Sequence, residues 1–589
     1  MFEEIQRLFD IPYYQQKHYP QSDALCAKVN GNWVKHSTEE YINTGNKVSR
    51  GLLKMGIKPG DKVALISNNR PEWNMLDMGI LQIGAIDVPI YPTISSEDYK
   101  FIFNDAGVVL CVVSDHELYD KVQAVRDQIP SLKEVYTIEE YEDTKNWKEI
   151  LEAGDDSAQS EVEALKSEIK TDDLATLIYT SGTTGTPKGV MLSHRNIVSN
   201  SVACVERLPV GKDAIALSFL PVCHIYERML MYLYQLTGVS IYFAESIETI
   251  GDNLREVKPH VFTAVPRLLE KVFDKIMAKG AELTGVKHSL FFWAVGLANE
   301  YDTHGKSAWY HFKLSIANKL IFSKWREALG GRAEAVASGS AALQPRLARI
   351  FLAAGIPVME GYGLTETSPV ISVNCADNDG LRIGSVGRVI EHVTVKIADD
   401  GEILVKGPNV MLGYYNREDL TKEVIDEDGW FHTGDIGEVS SDGFIRITDR
   451  KKEMFKTSGG KYIAPQMMEN RFKESLFIEQ IMVIGENEKH PAALVVPAFE
   501  YLAEWAKRNG HSYDNIEDFA SSDVVKAQIW EEVQKSNADF GGWEQIKKIE
   551  ILAKPWTVDT EELTPTLKLK RKIIKKKYHD QIKHIYRPS

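Results

Sequence analysis

Apolar and polar positions follow two different periods along the first third of the chain. Between residues 36 and 170, stretches with helical spacing alternate with short apolar runs. Val63-Ala64-Leu65-Ile66-Ser67 and Val108-Val109-Leu110-Cys111-Val112-Val113 are two such runs. Runs this short and this rich in β-branched residues predict buried strands, and strands separated by helices predict an α/β layer around a parallel sheet. Leu174-Ala175-Thr176-Leu177-Ile178 predicts another buried strand, preceded over 150–172 by a Glu/Asp/Ser/Lys-rich linker or surface helix. From Pro266 to Ala328 strand signals vanish and helix formers predominate. Residues 383–449 change again, to short β-branched runs broken by Gly and Asp. Asp399-Asp400-Gly401 and Ser441-Asp442-Gly443 predict hairpin turns there. The pattern places a domain boundary at Asp449-Arg450, dividing 1–449 from a smaller α+β unit, 450–589, with a polar helical segment over 500–540. No internal repeat is present.

Composition narrows the function. A chain of 589 residues that is 43% apolar supports more than one domain with large cores. A net charge of −15 implies no broad basic surface and argues against nucleic acid as a partner. The acidic start, Met1-Phe2-Glu3-Glu4, lacks the pattern of a secretory signal. The uncharged apolar stretch between Arg228 and Glu245 is too short to span a membrane and contains Gln235, Thr237, Gly238 and Ser240, so it reads as core. Five cysteines, scattered without metal or redox spacing, fit a reducing, cytoplasmic setting.

The densest chemistry lies in Tyr179-Thr180-Ser181-Gly182-Thr183-Thr184-Gly185-Thr186-Pro187-Lys188-Gly189. Glycines let backbone N–H groups approach an anion, while hydroxyls and Lys188 add donors and charge, so a loop of this kind after a strand suits phosphate. A flexible Gly/Ser/Thr linker is the plain alternative. The loop is not a Walker motif, because Pro187 stands where the second glycine belongs, and Gly305-Lys306-Ser307 fails because Glu300 occupies the first glycine position.

Other segments carry chemistry beside a plainer reading. In Glu360-Gly361-Tyr362-Gly363-Leu364-Thr365-Glu366 the glycine-flanked tyrosine can lie against a base and the carboxylate can hold Mg²⁺; a turn with a packed tyrosine has the same look. Ser338-Gly339-Ser340 is small enough for close approach by a ligand, or for a helix-capping loop. Asp435 can accept from ribose hydroxyls or close an Asx turn. Lys456-Thr457-Ser458-Gly459-Gly460-Lys461 is a second Gly-rich basic loop, or a solvated turn. His224 alone reads as a core histidine, and the lysines from Lys568 to Lys577 as a solvated face.

Taken in order, these motifs resemble the adenylate-forming superfamily, and the segment from Asp428 through Lys452 resembles the long signature of fatty acyl-CoA synthetases. The resemblance covers residues 179–571, with weaker similarity at both ends. It implies a large N-terminal domain of two α/β subdomains plus a distorted β-barrel, and a small, mobile α+β C-terminal domain hinged near Lys452. Thr180, Ser181, Gly182, Thr183, Thr184, Gly185 and Lys188 would then hold ATP phosphates. Ser338, Gly339, Ser340, Gly361, Tyr362 and Gly363 would hold adenine, with Thr365 on the α-phosphate. Asp435 and Arg450 would hold the ribose, and Glu366 with Thr180 would bind Mg²⁺. Lys568, in Thr566-x-Lys568-x-x-Arg571, would reach the reacting carboxylate. His224 would border the acyl pocket, with 229–244 a candidate tunnel wall, and Lys456, Gly459 and Gly460 would position CoA.

Two positions depart from the family pattern: Ala342 replaces a proline, and Leu567 replaces the usual glycine before the lysine. The implied reaction joins a fatty acid to ATP as an acyl-adenylate and then transfers the acyl group to CoA. The implied helical insert to Ala328 favours long chains. A carrier-protein ligase, a ligase of shorter or aromatic acids, and a non-catalytic binder stay open, as does loose membrane contact through the basic tail.

Overall fold

The computed structural model describes residues 2–181, 187–246, 248–376, 379–564 and 567–587. The calls on Gly182, Thr183, Thr184, Gly185 and Thr566, and on the Ser181 side chain, lie outside the described part. The fold is mixed α/β.

Two large sheets form the N-terminal part. In the first, the expected runs form Lys62–Ile66 and Val108–Val113, parallel to each other and to Ile86–Ile90. The strand Leu174–Ser181 lies beside Ile86–Ile90, and its hairpin partner Pro187–Ser193 makes that side antiparallel. The second sheet runs in the spatial order Val358–Gly363, Ala335–Ser338, Val261–Ala264, Ile215–Ser218, Ser240–Phe243, all parallel. Leu25–Val29 extends it in parallel beside Ser240–Phe243, and antiparallel strands Val370–Val373 and Asn32–His36 lie beside Val358–Gly363 and Leu25–Val29 respectively.

Helix Ile225–Thr237, the core of the uncharged stretch, is buried all round. Its two charged residues are buried with partners, Glu227 accepting from the Thr263 hydroxyl and Arg228 donating to Asp77. Gly238, at φ +73°, ends it in the left-handed conformation that glycine adopts without strain. The 150–172 segment becomes the surface helix Gln159–Glu168.

Thr394–Ile397, Glu402–Lys406, Phe431–Val439 and Ile445–Arg450 make a four-stranded antiparallel sheet. Gly401 and Gly443, both at φ +86°, occupy its two predicted turns. A bridge from Arg388 to Phe444, with hydrogen bonds between Ile445 and both Val386 and Gly387, ties this sheet to the edge of the second large sheet. Beyond it, a three-stranded sheet, Ile478–Ile484, Ala492–Pro497 and Ile549–Ile551, carries helices Pro465–Phe472, Phe499–Arg508 and Asp523–Asn537. Those helices bury Leu502, Ala506, Val525, Ile529 and Val533, so the polar segment is amphipathic rather than polar throughout. All five cysteines are buried.

Candidate active site

Ligands of open α/β sheets gather outside the carboxyl ends of parallel strands. Ser338 and Glu360 are register neighbours near those ends of the second sheet. Glu360 is buried and accepts from the Leu343 N–H at 2.9 Å, and burial pushes its carboxyl up to about 8. The strand continues past Glu360 through Gly363, so the glycine-flanked tyrosine sits at the strand's end. A Cβ on Gly363 would stand 1.9 Å from the Pro369 carbonyl oxygen, so this glycine is required by the chain itself. At Gly339 a Cβ would come within 3.1 Å of the Tyr226 ring, and Ser340 follows at φ +69°. The Ser338 hydroxyl is buried without a partner.

The Tyr362 hydroxyl donates to Asp435 Oδ2 at 2.7 Å, and Arg450 Nε lies 3.2 Å from Oδ1. Asp435 and Arg450 are paired positions across one hairpin, which brings two residues fifteen positions apart into an ion pair. Burial raises the Asp435 carboxyl above its ordinary value, while Arg450 and the Tyr362 hydroxyl oppose that shift.

Thr180 pairs with Lys188 across the hairpin that frames the phosphate loop. Lys188 Nζ lies 4.3 Å over the Tyr414 ring, and the Tyr414 hydroxyl donates to Glu366 Oε1 at 2.8 Å. Burial lowers the Lys188 pKa, with Glu366 opposing. Glu366 and Thr365 lie on a short 3-10 turn packed against strand Pro187–Ser193. Among the described residues no cluster of three His, Cys, Asp or Glu could cage a metal. Mg²⁺ bound with substrate phosphates needs only one or two protein oxygens, and among the described residues no Lys or Arg forms an ion pair with Glu366. The donor set fits Mg²⁺.

His224 caps helix Ile225–Thr237: its Nδ1 accepts from the Tyr226 N–H at 3.1 Å, which leaves Nε2 as the protonated nitrogen. Burial, and then the positive charge of Lys568, push it down to about 3, so the ring is neutral at physiological pH.

Lys568 therefore shares this region with His224. Burial first, then the like charge of Arg450, pull it down to about 8, against Asp435, Glu453 and Glu366. Its backbone is held by a tight loop: Lys568 N donates to Thr564 Oγ1 at 3.0 Å, and Thr564 N to the Lys568 carbonyl at 2.8 Å. Leu567 occupies the expected glycine position at φ +61°.

Residues 13–415 match the model of the AMP-binding enzyme family, and residues 453–589 match that of the AMP-binding enzyme C-terminal domain. The chain belongs to the AMP-binding enzyme family. Among AMP-binding enzymes it is 34% identical to the Long-chain-fatty-acid–CoA ligase FadD15 of Mycobacterium tuberculosis, over 95% of this chain and 93% of that one. It is 34% identical to the Long-chain-fatty-acid–CoA ligase ACSBG2 of Xenopus laevis, over 96% and 82%. In fold it is similar to the A domain of the carboxylic acid reductase from Segniliparus rugosus, solved in complex with AMP and a co-purified carboxylic acid. The TM-score is 0.74 at 21% identity, covering 98% of this chain and 94% of that one.

In this AMP-binding enzyme, ion pairs and hydrogen bonds hold the C-terminal unit against the large one. Lys473 reaches Glu270 at 3.1 Å, Arg267 meets Glu479, and Gln466 N donates to Asp449 Oδ2 at 3.1 Å. Arg571, after the Lys568 loop, is anchored by Glu469 at 2.6 Å and Glu453 at 2.8 Å. Lys575 and Lys577 of the basic tail pair with Glu486 and Glu562, each at 3.0 Å, within their own unit. The Lys456–Gly460 loop is turned elsewhere. Lys456 is exposed over the Tyr462 ring at 4.5 Å, Asn487 N donates to its carbonyl, and Ser458 N donates to the Glu488 carbonyl.

Sequence reading missed Tyr414, Glu453 and Glu360. Tyr414 stands in Gly413-Tyr414-Tyr415-Asn416, a turn-like tetrapeptide with nothing local to tie it to Glu366.

Proposed function

We propose that this enzyme activates a long-chain fatty acid: the carboxylate attacks the α-phosphorus of ATP, pyrophosphate leaves, and the acyl-adenylate passes its acyl group to the CoA thiol. The observation that carries the reading is buried Lys568, on the loop held by Thr564, within electrostatic reach of Glu366 on its 3-10 turn and of the Asp435–Arg450 pair on the four-stranded sheet. Relatives at 34% identity that are named long-chain-fatty-acid–CoA ligases support the choice of substrates.

Charge neutralisation and positioning dominate phosphoryl-type chemistry. Asp435 and Arg450 would hold the ribose, with Tyr362 against adenine beside Ser338, Gly339 and Ser340. Thr180 through Lys188 would hold the phosphates, and Thr365 the α-phosphate. Mg²⁺, held by Glu366 and Thr180, would supply charge to the leaving pyrophosphate. Lys568 would hold the attacking carboxylate and α-phosphate oxygens, and His224, neutral, would border the acyl carboxyl. The chain would divide at Asp449-Arg450, and rotation of 450–589 near Lys452 would withdraw Lys568 and bring Lys456, Gly459 and Gly460 toward CoA.

The test is production of AMP and pyrophosphate from ATP and palmitate, with and without CoA. Palmitoyl-CoA formed only with CoA is the expected result. Palmitoyl-adenylate accumulating regardless of CoA would replace CoA by a carrier protein, and no turnover with palmitate would remove the long-chain reading.

A further inference from the structure

The helical stretch between strands Val261–Ala264 and Ala335–Ser338 carries a second apolar face that none of the described residues covers. Helix Ala308–Ala317 runs through a π turn, Asn318–Phe322, into Ser323–Ala328. Inward, Tyr310, Leu314, Ala317, Phe322 and Trp325 join the core over the second sheet. Outward, Trp309, Phe312, Ile316 and Leu320 are 65%, 55%, 38% and 46% exposed. Their spacing of three, four and four residues makes one continuous stripe. The Trp309 and Phe312 rings stack at 5.4 Å and 19°, and on the adjoining helix Gly285–Asn299 both Val286 and Trp293 are exposed. Exposed apolar side chains are ordinary when scattered, whereas a contiguous patch of large ones marks a contact surface.

The charge around the stripe says what kind. Residues 303–326 contain Lys306, Lys313, Lys319, Lys324 and Arg326 and no Asp or Glu, in a chain whose net charge is −15. Lys313, Lys319 and Lys324 have no carboxylate partner among the described residues. Tryptophan and phenylalanine on a helix face edged by lysines suit a surface that is apolar below and anionic above, as at the headgroup boundary of a bilayer. A second copy of the chain is a poor occupant, because a two-fold contact over this stripe would set the same lysines against each other. Among the described residues no helix is long and apolar enough to cross a membrane, so the contact is one of lying on the surface.

We propose that the outward face of Ala308–Phe322 docks on anionic lipid bilayers, with Trp309, Phe312, Ile316 and Leu320 entering the headgroup–acyl boundary and Lys313, Lys319 and Lys324 facing lipid phosphates. The proposal is independent of the reaction assigned above and moves any membrane contact from the basic tail to this insertion.

The test is sedimentation of the full chain with vesicles of phosphatidylcholine alone or mixed with phosphatidylglycerol. Wild type partitions to the mixed vesicles about tenfold or more better than to phosphatidylcholine, and salt weakens the difference. The Trp309→Ser/Phe312→Ser/Ile316→Ser/Leu320→Ser variant loses about tenfold or more of this partition, as does Lys313→Glu/Lys319→Glu. Both variants leave the buried residues of the helix unchanged and keep the wild-type melting temperature. Wild-type tryptophan emission shifts to the blue on the mixed vesicles, and Trp309→Phe loses most of that shift. Wild type remaining in the supernatant, or both variants sedimenting as wild type does, overturns the proposal. So does a concentration-dependent dimer that the apolar variant dissolves, which would make a second copy the occupant.

Discussion

The Tyr362 hydroxyl and the Arg450 guanidinium grip opposite oxygens of one buried carboxylate, Asp435, at 2.7 and 3.2 Å. The carboxylate is thereby aimed before any nucleotide arrives, and its charge is balanced in a place where burial alone would favour protonation. Removing one donor from a buried charged acceptor costs about 1.5–3 kcal/mol. Tyr362→Phe is therefore expected to lower kcat/KM for ATP by about tenfold, mostly through KM, while the fold stays intact. Steady-state kinetics with ATP varied would check it, and an unchanged KM would detach Asp435 from the nucleotide.

Lys568 has a folded pKa of about 8, below its ordinary 10.5. The charged form is the useful one for holding anions, so kcat/KM for adenylation should fall as pH rises through about 8, roughly tenfold per pH unit. Stability runs the other way. Between pH 8 and 10.5 the unfolded chain keeps a proton that the folded chain has released, so the Lys568 contribution to stability rises with pH across that window. Lys568→Arg should flatten the activity limb. A limb that survives unchanged in Lys568→Arg would assign it to another group.

Lys568→Ala should abolish acyl-adenylate formation yet leave conversion of supplied acyl-adenylate and CoA to the thioester within about threefold of wild type. Here the second half-reaction is attributed to the rotated state that brings in the Lys456 loop. Measuring the two half-reactions separately decides it, since equal loss of both would leave no reason to invoke two arrangements.

Leu567 holds φ +61° while its partly buried side chain packs against the second hydrophobic cluster of the C-terminal unit. Left-handed backbone costs a β-carbon residue about 1–2 kcal/mol, and losing packing costs a comparable amount. Leu567→Ala keeps the strain and loses the packing, whereas Leu567→Gly loses both. Thermal unfolding should thus rank wild type and Leu567→Gly close together, with Leu567→Ala lowest. Alanine melting above glycine would show that the backbone is not strained there.

Arg228 lies wholly buried between two carboxylates, at 2.6 Å from Asp77 and 3.0 Å from Asp87, with Thr176 accepting at 2.8 Å. One guanidinium cannot balance two carboxylates, and burial raises both acids, Asp87 the more strongly. A carboxyl raised in the folded state keeps its proton to higher pH than it does in the unfolded chain, so the Asp87 contribution to stability declines as pH climbs from 3.8 through its raised value. Asp87→Asn should cost under about 1 kcal/mol and flatten that decline, whereas Arg228→Met should cost about 3–5 kcal/mol by leaving carboxylates unpaired. Denaturant unfolding across pH separates these outcomes.

Much of the site was legible because its chemistry is contiguous. A phosphate loop needs glycines and hydroxyls side by side, and Asp435 and Arg450 flank one hairpin whose turn, Ser441-Asp442-Gly443, is written locally. Tyr414 meets Glu366 across 48 positions, Glu453 meets Arg571 across 118, and Arg228 meets Asp77 across 151. No local period or composition encodes such pairings.

By itself the sequence determined the strands, turns and motif order, because backbone periodicity and turn chemistry act over a few neighbouring residues. Only the tertiary structure decided which groups share a low-dielectric space, and hence that Lys568 titrates near 8 and His224 stays neutral. It also decided which side of the apolar helix Ala308–Ala317 would meet the core and which would face water. Burial is a property of the packed whole: a residue's solvent is chosen by what folds over it, and that comes from distant parts of the chain.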